Sequence, residues 1–375
     1  MTSVRRIGVL TGGGDAPGLN AVIRAIVRAC KVEHGVSVMG ISDGFIGLVE
    51  MKARELGLAD VSGLLVRGGT ILGTSNRGNP FRYAYRRPDG AEELVDASAT
   101  AKKNFDKLGL DCLIVIGGDG SLSIAERFWR EFGIPVVGVP KTIDNDLSAT
   151  EYTFGFATAL EVATSALDRL HTTAESHHRV MLLEVMGRDS GWIALHAGLA
   201  GGGDVVLIPE IPFKFEALLA KFRARERRGR PFSLVVVAEG AAPVGGAQVF
   251  AGEDAVTGWK RLGGISYQIA REIETMGGYE VRATVLGHIQ RGGIPVPTDR
   301  ILATRCGVEA TRLAVTGHFG NMVALRSDEI VSVPLAEAIG HLKRVDPDCQ
   351  LVRAARSIGV VFGDEEPGAV DRSEG

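Results

Sequence analysis

Short runs of aliphatic and β-branched residues recur along this chain, separated by amphipathic stretches, and that alternation constrains its fold more than any other feature. The runs 7–10, 36–41, 112–116, 135–139, 180–185, 205–208, 234–238 and 281–286 are nearly continuous in apolar residues. A strand that is apolar on both faces must be covered on both, which is the condition of a parallel sheet layered between helices. Helical spacing of apolar residues over 19–32, 156–173, 215–227, 265–276 and 299–315 supplies the covering layers. The expected fold is α/β: two parallel-sheet, three-layer α/β/α lobes with the active site in the cleft between them. The expected boundaries are 1–155 plus about 290–335 for one lobe and about 156–289 for the other, with an insertion at 241–261 and a flexible tail at 363–375.

In such sheets ligands gather beyond the carboxyl ends of the strands. The chain places its glycine clusters there: TGGGDAPG, GGDGS, MGRDSG, AEG and GHIQRGG each follow a strand run, as does the polar PKTIDND. This accounts for 50 glycines in 375 residues, nearly double the usual ~7%, with no collagen-like or low-complexity period. Lys and Arg number 42 against 45 Asp and Glu, a net charge of −3, so no overall field draws the protein to nucleic acid or an anionic membrane. Any anion must be bound locally. Cys30, Cys112, Cys306 and Cys349 form no C-x-x-C pair and read as small hydrophobes of a reducing compartment. The start MTSVRRIGVL enters a strand pattern after about five residues, with no signal-peptide pattern, and no apolar run approaches the ~18 residues needed to span a bilayer. The expected location is cytoplasmic.

The glycines of 12–18 turn a strand into a helix, so that backbone N–H groups at a helix N-terminus face a ligand, for which phosphate is the natural guest. A tight βα turn gives the same pattern. The spacing excludes a dinucleotide fingerprint, since Pro17 would fall on its last glycine, and no G-K-[ST] completes a Walker motif. Gly118, Asp119, Gly120 and Ser121 open a second helix, with Ser121 placed to cap it. Asp119 beside a phosphate loop makes sense if Mg2+ sits between the two, although a capping Asp in a turn has the same look. Lys141, Thr142, Ile143, Asp144 and Asp146 combine a cation, a hydroxyl and two carboxylates, enough for base-assisted transfer to a hydroxyl acceptor, or for a solvated turn. Arg179, Arg188, Arg282, His288 and Arg291 add the guanidinium and imidazole groups that grip a sugar phosphate, with Glu239 available to its hydroxyls. Singly, each arginine is as well explained by a surface ion pair.

Taken in order, GGGDAPGLN, LGTSNR, GGDGS, TIDND, SHHR, EVMGRDSGW, AEG and RATVLGHIQRGG resemble the phosphofructokinase family over roughly residues 6–320. The resemblance implies a glycolytic kinase that moves a phosphoryl group from Mg-ATP to the 1-hydroxyl of fructose 6-phosphate, the 1–155 lobe holding the donor and the 156–289 lobe the sugar phosphate. It implies Asp144 as the base, with Thr142 and Asp146 beside it, Asp119 serving Mg2+, and Arg188 stabilising charge on the transferring group. Met186, Gly187 and Glu239 would hold the sugar, and His288 and Arg291 its 6-phosphate. Arg179 and Arg282 would reach in from a neighbouring subunit of a homodimer or homotetramer. Gly14, Arg77, Gly118, Gly120 and Ser121 would contact the donor, with Lys141 near a terminal phosphate.

Three departures bear on that reading: the insertion at 241–261, Ser42 where compact relatives carry a tyrosine against adenine, and His171 where they carry an effector-site arginine. The donor turns on two positions. Pyrophosphate users typically carry Asp at the place of Gly120 and Lys at that of Lys141, and a carboxylate at 120 would repel a nucleotide α-phosphate. Gly120 therefore favours ATP, with a pyrophosphate-dependent phosphotransferase as the alternative. An inactive sugar-phosphate-binding paralogue would have lost Asp119 or Asp144, and both are present.

Overall fold

A computed structural model describes residues 4–87, 89–253 and 260–373. They fall into two units, one of residues 4–158 and 291–342, the other of 159–253, 260–290 and 343–373.

The first unit is built on parallel strands Arg6–Thr11, Ser37–Ile41, Cys112–Gly117 and Val136–Thr142. Ile7 pairs with Val38 on one side and Cys112 on the other, and Leu113 pairs with Val136. Alternate residues then part to opposite faces. Ile7, Val9, Ile114 and Ile116 meet helices Leu19–Ala29 and Pro297–Val315, whereas Leu10, Leu113 and Val115 meet helices Ser98–Lys107 and Asp119–Phe132. Continuous apolar runs form strands here because both faces are covered. Four strands that the pattern did not announce join the sheet: Ala53–Leu56 antiparallel at one edge, Asn321–Arg326 and Glu329–Pro334 at the other, and the short Phe154–Gly155 beside the end of Val136–Thr142.

The second unit holds four parallel strands in the order Val205–Leu207, Ser233–Ala238, Val180–Val185, Val281–Val285. Leu182, Val205, Val235 and Val237 pack on helices Phe215–Arg227 and Ile265–Gly277. On the other face Gly198 of helix Trp192–Ala200 lies against Val206 and Val236. Both units are thus three-layered α/β, as the alternation predicts. Among the described residues no helix is long and apolar enough to cross a membrane. The four cysteines are free thiols, three of them buried.

Two segments differ from expectation. The insertion at 241–261 contains an antiparallel pair, Phe250–Glu253 with Lys260–Leu262, while 254–259 lie outside the described residues. The tail expected at 363–375 forms helix Pro367–Ser373, with 374–375 outside the described residues. Val370 is 2% exposed and joins the core of the second unit, and packing against helix Phe215–Arg227 supports a helix too short and too polar to form alone.

Glu184 anchors the second sheet to a helix. Its carboxylate, 1% exposed, accepts the N–H groups of Gly264 (3.0 Å) and Ser266 (2.9 Å) and the Ser266 hydroxyl (2.6 Å) at the start of helix Ile265–Gly277. Glu184→Ala would strand these donors, and the expected loss is at least about 2 kcal/mol of unfolding free energy, read as a lowered urea midpoint at unchanged m-value.

Candidate active site

Parallel register ends three strands of the first unit together: Thr11 aligns with Ile116, and Gly117 with Pro140. The loops that follow share one edge. Gly18 precedes helix Leu19–Ala29 at φ 104°, where a Cβ would come within 2.9 Å of the Phe154 ring, so the turn requires glycine. Gly13 N–H donates to Ser75 O (3.2 Å) and Thr74 Oγ1 to Gly13 O (2.5 Å). The LGTSNR segment therefore runs beside the glycine loop, bringing two of the expected donor contacts, Gly14 and Arg77, to one strand edge.

Helix Asp119–Phe132 starts after Gly118, and Ser121 does not cap it: the cap position is Gly118, which has no side chain, and Ser121 is buried beneath Gly12 and Gly117. Asp119 Oδ1 accepts Gly340 N–H at 2.8 Å, which fixes its carboxylate. A Cβ placed on Gly120 would meet nothing within 4 Å.

Lys141, 3% exposed, donates to Gly12 O (3.0 Å) and to Gly14 O. Burial pushes its pKa down to about 7, and the Arg291 guanidinium pushes the same way, against the opposing pull of Asp15, Asp144 and Asp146. The loop after Lys141 is pinned internally: Thr142 Oγ1 accepts Asp144 N–H (3.1 Å), Asn145 Oδ1 accepts Thr153 N–H (3.1 Å), and Thr153 Oγ1 donates to Thr142 O (2.7 Å). Asn145 adopts φ 51°, a left-handed turn that Asn tolerates. It leaves Asp144 and Asp146 half-buried on the same loop as Lys141. Arg291, expected at the sugar phosphate, lies against this cluster: Nη1 donates to Asp15 O at 3.1 Å and stands 2.8 Å from where a Cβ on Gly14 would be.

In the second unit, Met186–Arg188 follow strand Val180–Val185, Glu239 follows Ser233–Ala238, and His288 follows Val281–Val285, all at the carboxyl edge. Gln290 Oε1 accepts Met186 N–H (2.7 Å), Gly240 N–H donates to Gly187 O (3.1 Å), and Gln248 Nε2 to Arg188 O (3.0 Å). Gln248 belongs to the insertion, so the extra segment holds the Arg188 loop, a role with no signal in the sequence. Gly187 sits at φ 142°, and a Cβ there would come within 2.7 Å of Ser190 O. Arg179 and Arg282 are not with them. Arg179 precedes the first of these strands, Arg282 pairs in register with Met181, and both guanidinium groups bind Glu280 at 2.6 Å. They occupy the amino edge, a strand length of roughly 17 Å from Arg188. His171, at the other departure, sets its ring edge-on against Phe232. Among the described residues no three His, Cys, Asp or Glu gather as a metal cluster.

A glycine-rich loop before a helix N-terminus, a buried cation and a carboxylate loop on one α/β edge are the parts that a phosphoryl-transfer site requires. Residues 6–314 match the family model Phosphofructokinase, and the chain belongs to that family. It is 56% identical over 362 residues to the ATP-dependent 6-phosphofructokinase of Chloroflexus aggregans, covering 96% of this chain and 98% of that one. It is also 50% identical to the pyrophosphate–fructose 6-phosphate 1-phosphotransferase of Streptomyces coelicolor, covering 96% and 100%. Among solved structures it resembles Pichia pastoris phosphofructokinase in the T-state, with TM-score 0.76 and 30% identity. That likeness covers 99% of this chain, which spans 37% of the Pichia chain.

Lys141 makes a pH-dependent contribution with a defined sign. Its folded pKa, about 7, lies below the 10.5 of an unperturbed lysine, so between those values the unfolded chain binds more protons and stability gained from this group rises with pH. Lys141→Met should therefore be stabilising relative to wild type at pH 7 and below, with the difference shrinking as pH approaches 10. Parallel urea titrations measure it, and a pH-independent difference would contradict the depressed pKa.

Proposed function

We propose that this chain is an ATP-dependent 6-phosphofructokinase, transferring the terminal phosphoryl group of ATP to the 1-hydroxyl of fructose 6-phosphate in cytoplasmic glycolysis. The observation that carries the reading is the convergence of the Gly12–Gly14 backbone, Lys141 and the Thr142–Asp146 carboxylates on one strand edge, within a chain 56% identical to an ATP-dependent relative. Asp144 takes the proton of the attacking hydroxyl, its backbone held by Thr142. Lys141 and the helix N-termini that follow the glycine loops receive the polyphosphate, with Arg77 beside them. Met186, Gly187, Arg188, Glu239 and His288 receive the sugar phosphate, Arg188 facing the charge of the transferring group.

Asp119 suits Mg2+. Ions of this kind take one or two protein carboxylates plus phosphate oxygens, and the Gly340 contact already orients this one. Held by Asp119, such an ion would supply Lewis-acid stabilisation of negative charge on the phosphate. The separation of Arg179 and Arg282 from Arg188 along the second sheet supports a homodimer or homotetramer in which these two arginines serve a neighbour's sugar-phosphate site.

ATP is favoured as donor because the space around Gly120 is open, leaving room for an α-phosphate where a carboxylate would repel it. The pyrophosphate reading rests on Lys141, a buried cation suited to a terminal phosphate of either donor. Initial rates with fructose 6-phosphate, Mg2+ and either donor decide between them. ATP should give the higher kcat/KM, and Gly120→Asp should raise the KM for ATP far more than that for pyrophosphate; equal or better use of pyrophosphate by the wild type would reverse the assignment. Asp144→Asn should lower kcat by at least ~10²-fold with little change in donor KM, and near-normal turnover would remove Asp144 from its role as base.

A further inference from the structure

The loop that carries Arg188 is tied at its exit to the end of the chain. Glu210, three residues past strand Val205–Leu207, accepts Gly191 N–H at 3.0 Å and Val345 N–H at 2.8 Å, both on Oε1. One residue on, Trp192 Nε1 donates to Lys343 O at 2.8 Å. Residues 343–345 thus reach the end of the Met186–Gly191 loop twice, through Glu210 to Gly191 and directly at Trp192. Beyond them the same C-terminal segment is fastened to the second unit. Lys221 Nζ donates to Gly359 O (2.7 Å), Val206 N–H donates to Val361 O (2.9 Å), and Val370 lies in the core. The segment therefore has a rigid base from which to hold the loop.

Glu210 is an uneconomical choice if holding helix Trp192–Ala200 were its whole purpose. Its Oε2 is buried and has no hydrogen-bond partner among the described residues, and burial raises its pKa above the ordinary carboxylate range despite Arg344 nearby. What the side chain does supply is one oxygen shared between two N–H groups from distant parts of the sequence. The Gly191 position is closed as well: a Cβ there would come within 2.9 Å of Glu210 Oε2.

We propose that Glu210 is a positioning residue for the Arg188 loop, and that the C-terminal segment from residue 343 is a brace acting on that loop through Glu210. The proposal rests on the reading of Arg188 as the group that faces the transferring phosphoryl. Releasing Oε1 lets residues 186–191 shift while leaving the donor loops of the first unit untouched. The effect then falls on turnover of fructose 6-phosphate and spares donor affinity, since a displacement near 1 Å at a charge-stabilising group is costly to the rate.

The test compares Glu210→Ala with Glu210→Gln in the full-length protein. Glu210→Ala is expected to lower kcat/KM for fructose 6-phosphate about tenfold or more, chiefly in kcat, with donor KM within about twofold. Glu210→Gln, which keeps an acceptor at Oε1, recovers most of the loss. A folded Ala variant with wild-type kcat and KM, or an equal loss in the Gln variant, overturns the proposal. Should the Ala variant fail to fold, Glu210→Asp, which withdraws the oxygen by one methylene, is read by the same criteria. If the wild type phosphorylates no fructose 6-phosphate with either donor, the functional reading fails separately. The brace is then decided by amide exchange in peptides covering 186–192 and 343–347: faster exchange of both in the variant supports it, and unchanged exchange in either overturns it.

Discussion

Parallel pairing in a common register is the constraint from which the rest follows. Because Thr11, Ile116 and Val139 lie level across strands Arg6–Thr11, Cys112–Gly117 and Val136–Thr142, three chain segments leave the hydrogen-bonded layer at one edge with backbone groups to satisfy. Parallel strands cannot be joined by tight turns, so each segment must become a helix or a loop on a helix face. Glycine at 12–14 and 118, and the Asn145 turn, are the local answers to that demand. In the first loop Gly12 N–H is taken by Ile116 O and Gly13 N–H by Ser75 O, which pins the loop at this edge.

Two cations are then drawn onto the glycine loop from elsewhere in the sequence. Lys141 comes from the end of a strand and Arg291 from the far side of the second unit's residues, yet both bind loop carbonyls, those of Gly12 and Gly14 for the lysine and of Asp15 for the arginine. A buried ammonium held by neutral carbonyls is undercompensated, which is why the Lys141 pKa falls toward neutrality. A phosphate arriving at this edge would give both cations the negative partner that the carbonyls only approximate. The carboxylates of Asp144 and Asp146 stand close enough to oppose the shift without cancelling it.

The second sheet divides its arginines by strand direction. Arg188 and Glu239 lie at the carboxyl edge with the loop bonds from Gln290 and Gln248, and Arg179 and Arg282 lie at the amino edge, sharing Glu280. Within one copy, the pairing of strands Val180–Val185 and Val281–Val285 holds the two pairs at opposite edges of the sheet.

Sequence alone determined the parallel strands and the loops at their ends, because a segment buried on both faces must be apolar throughout and a ligand-facing turn must be rich in glycine. It also placed Asp119, Thr142, Asp144 and Arg188 on those loops. It could not announce strand Ala53–Leu56, whose Ala, Arg, Glu and Leu favour helix; pairing of Leu56 with Val38 overrides that preference. Nor could it show that helix Pro367–Ser373 would form around Val370, that Gln248 in the insertion would hold Arg188 O, or that Glu210 would join Gly191 to Val345. These depend on contacts between residues far apart in the chain, and a hydrogen bond across such a distance leaves no periodicity. Only the tertiary structure decided that Arg291 would lie on the glycine loop and that Arg179 and Arg282 would stand at the opposite edge from Arg188. A residue's type states which charge it carries, whereas strand direction and register set where that charge is delivered.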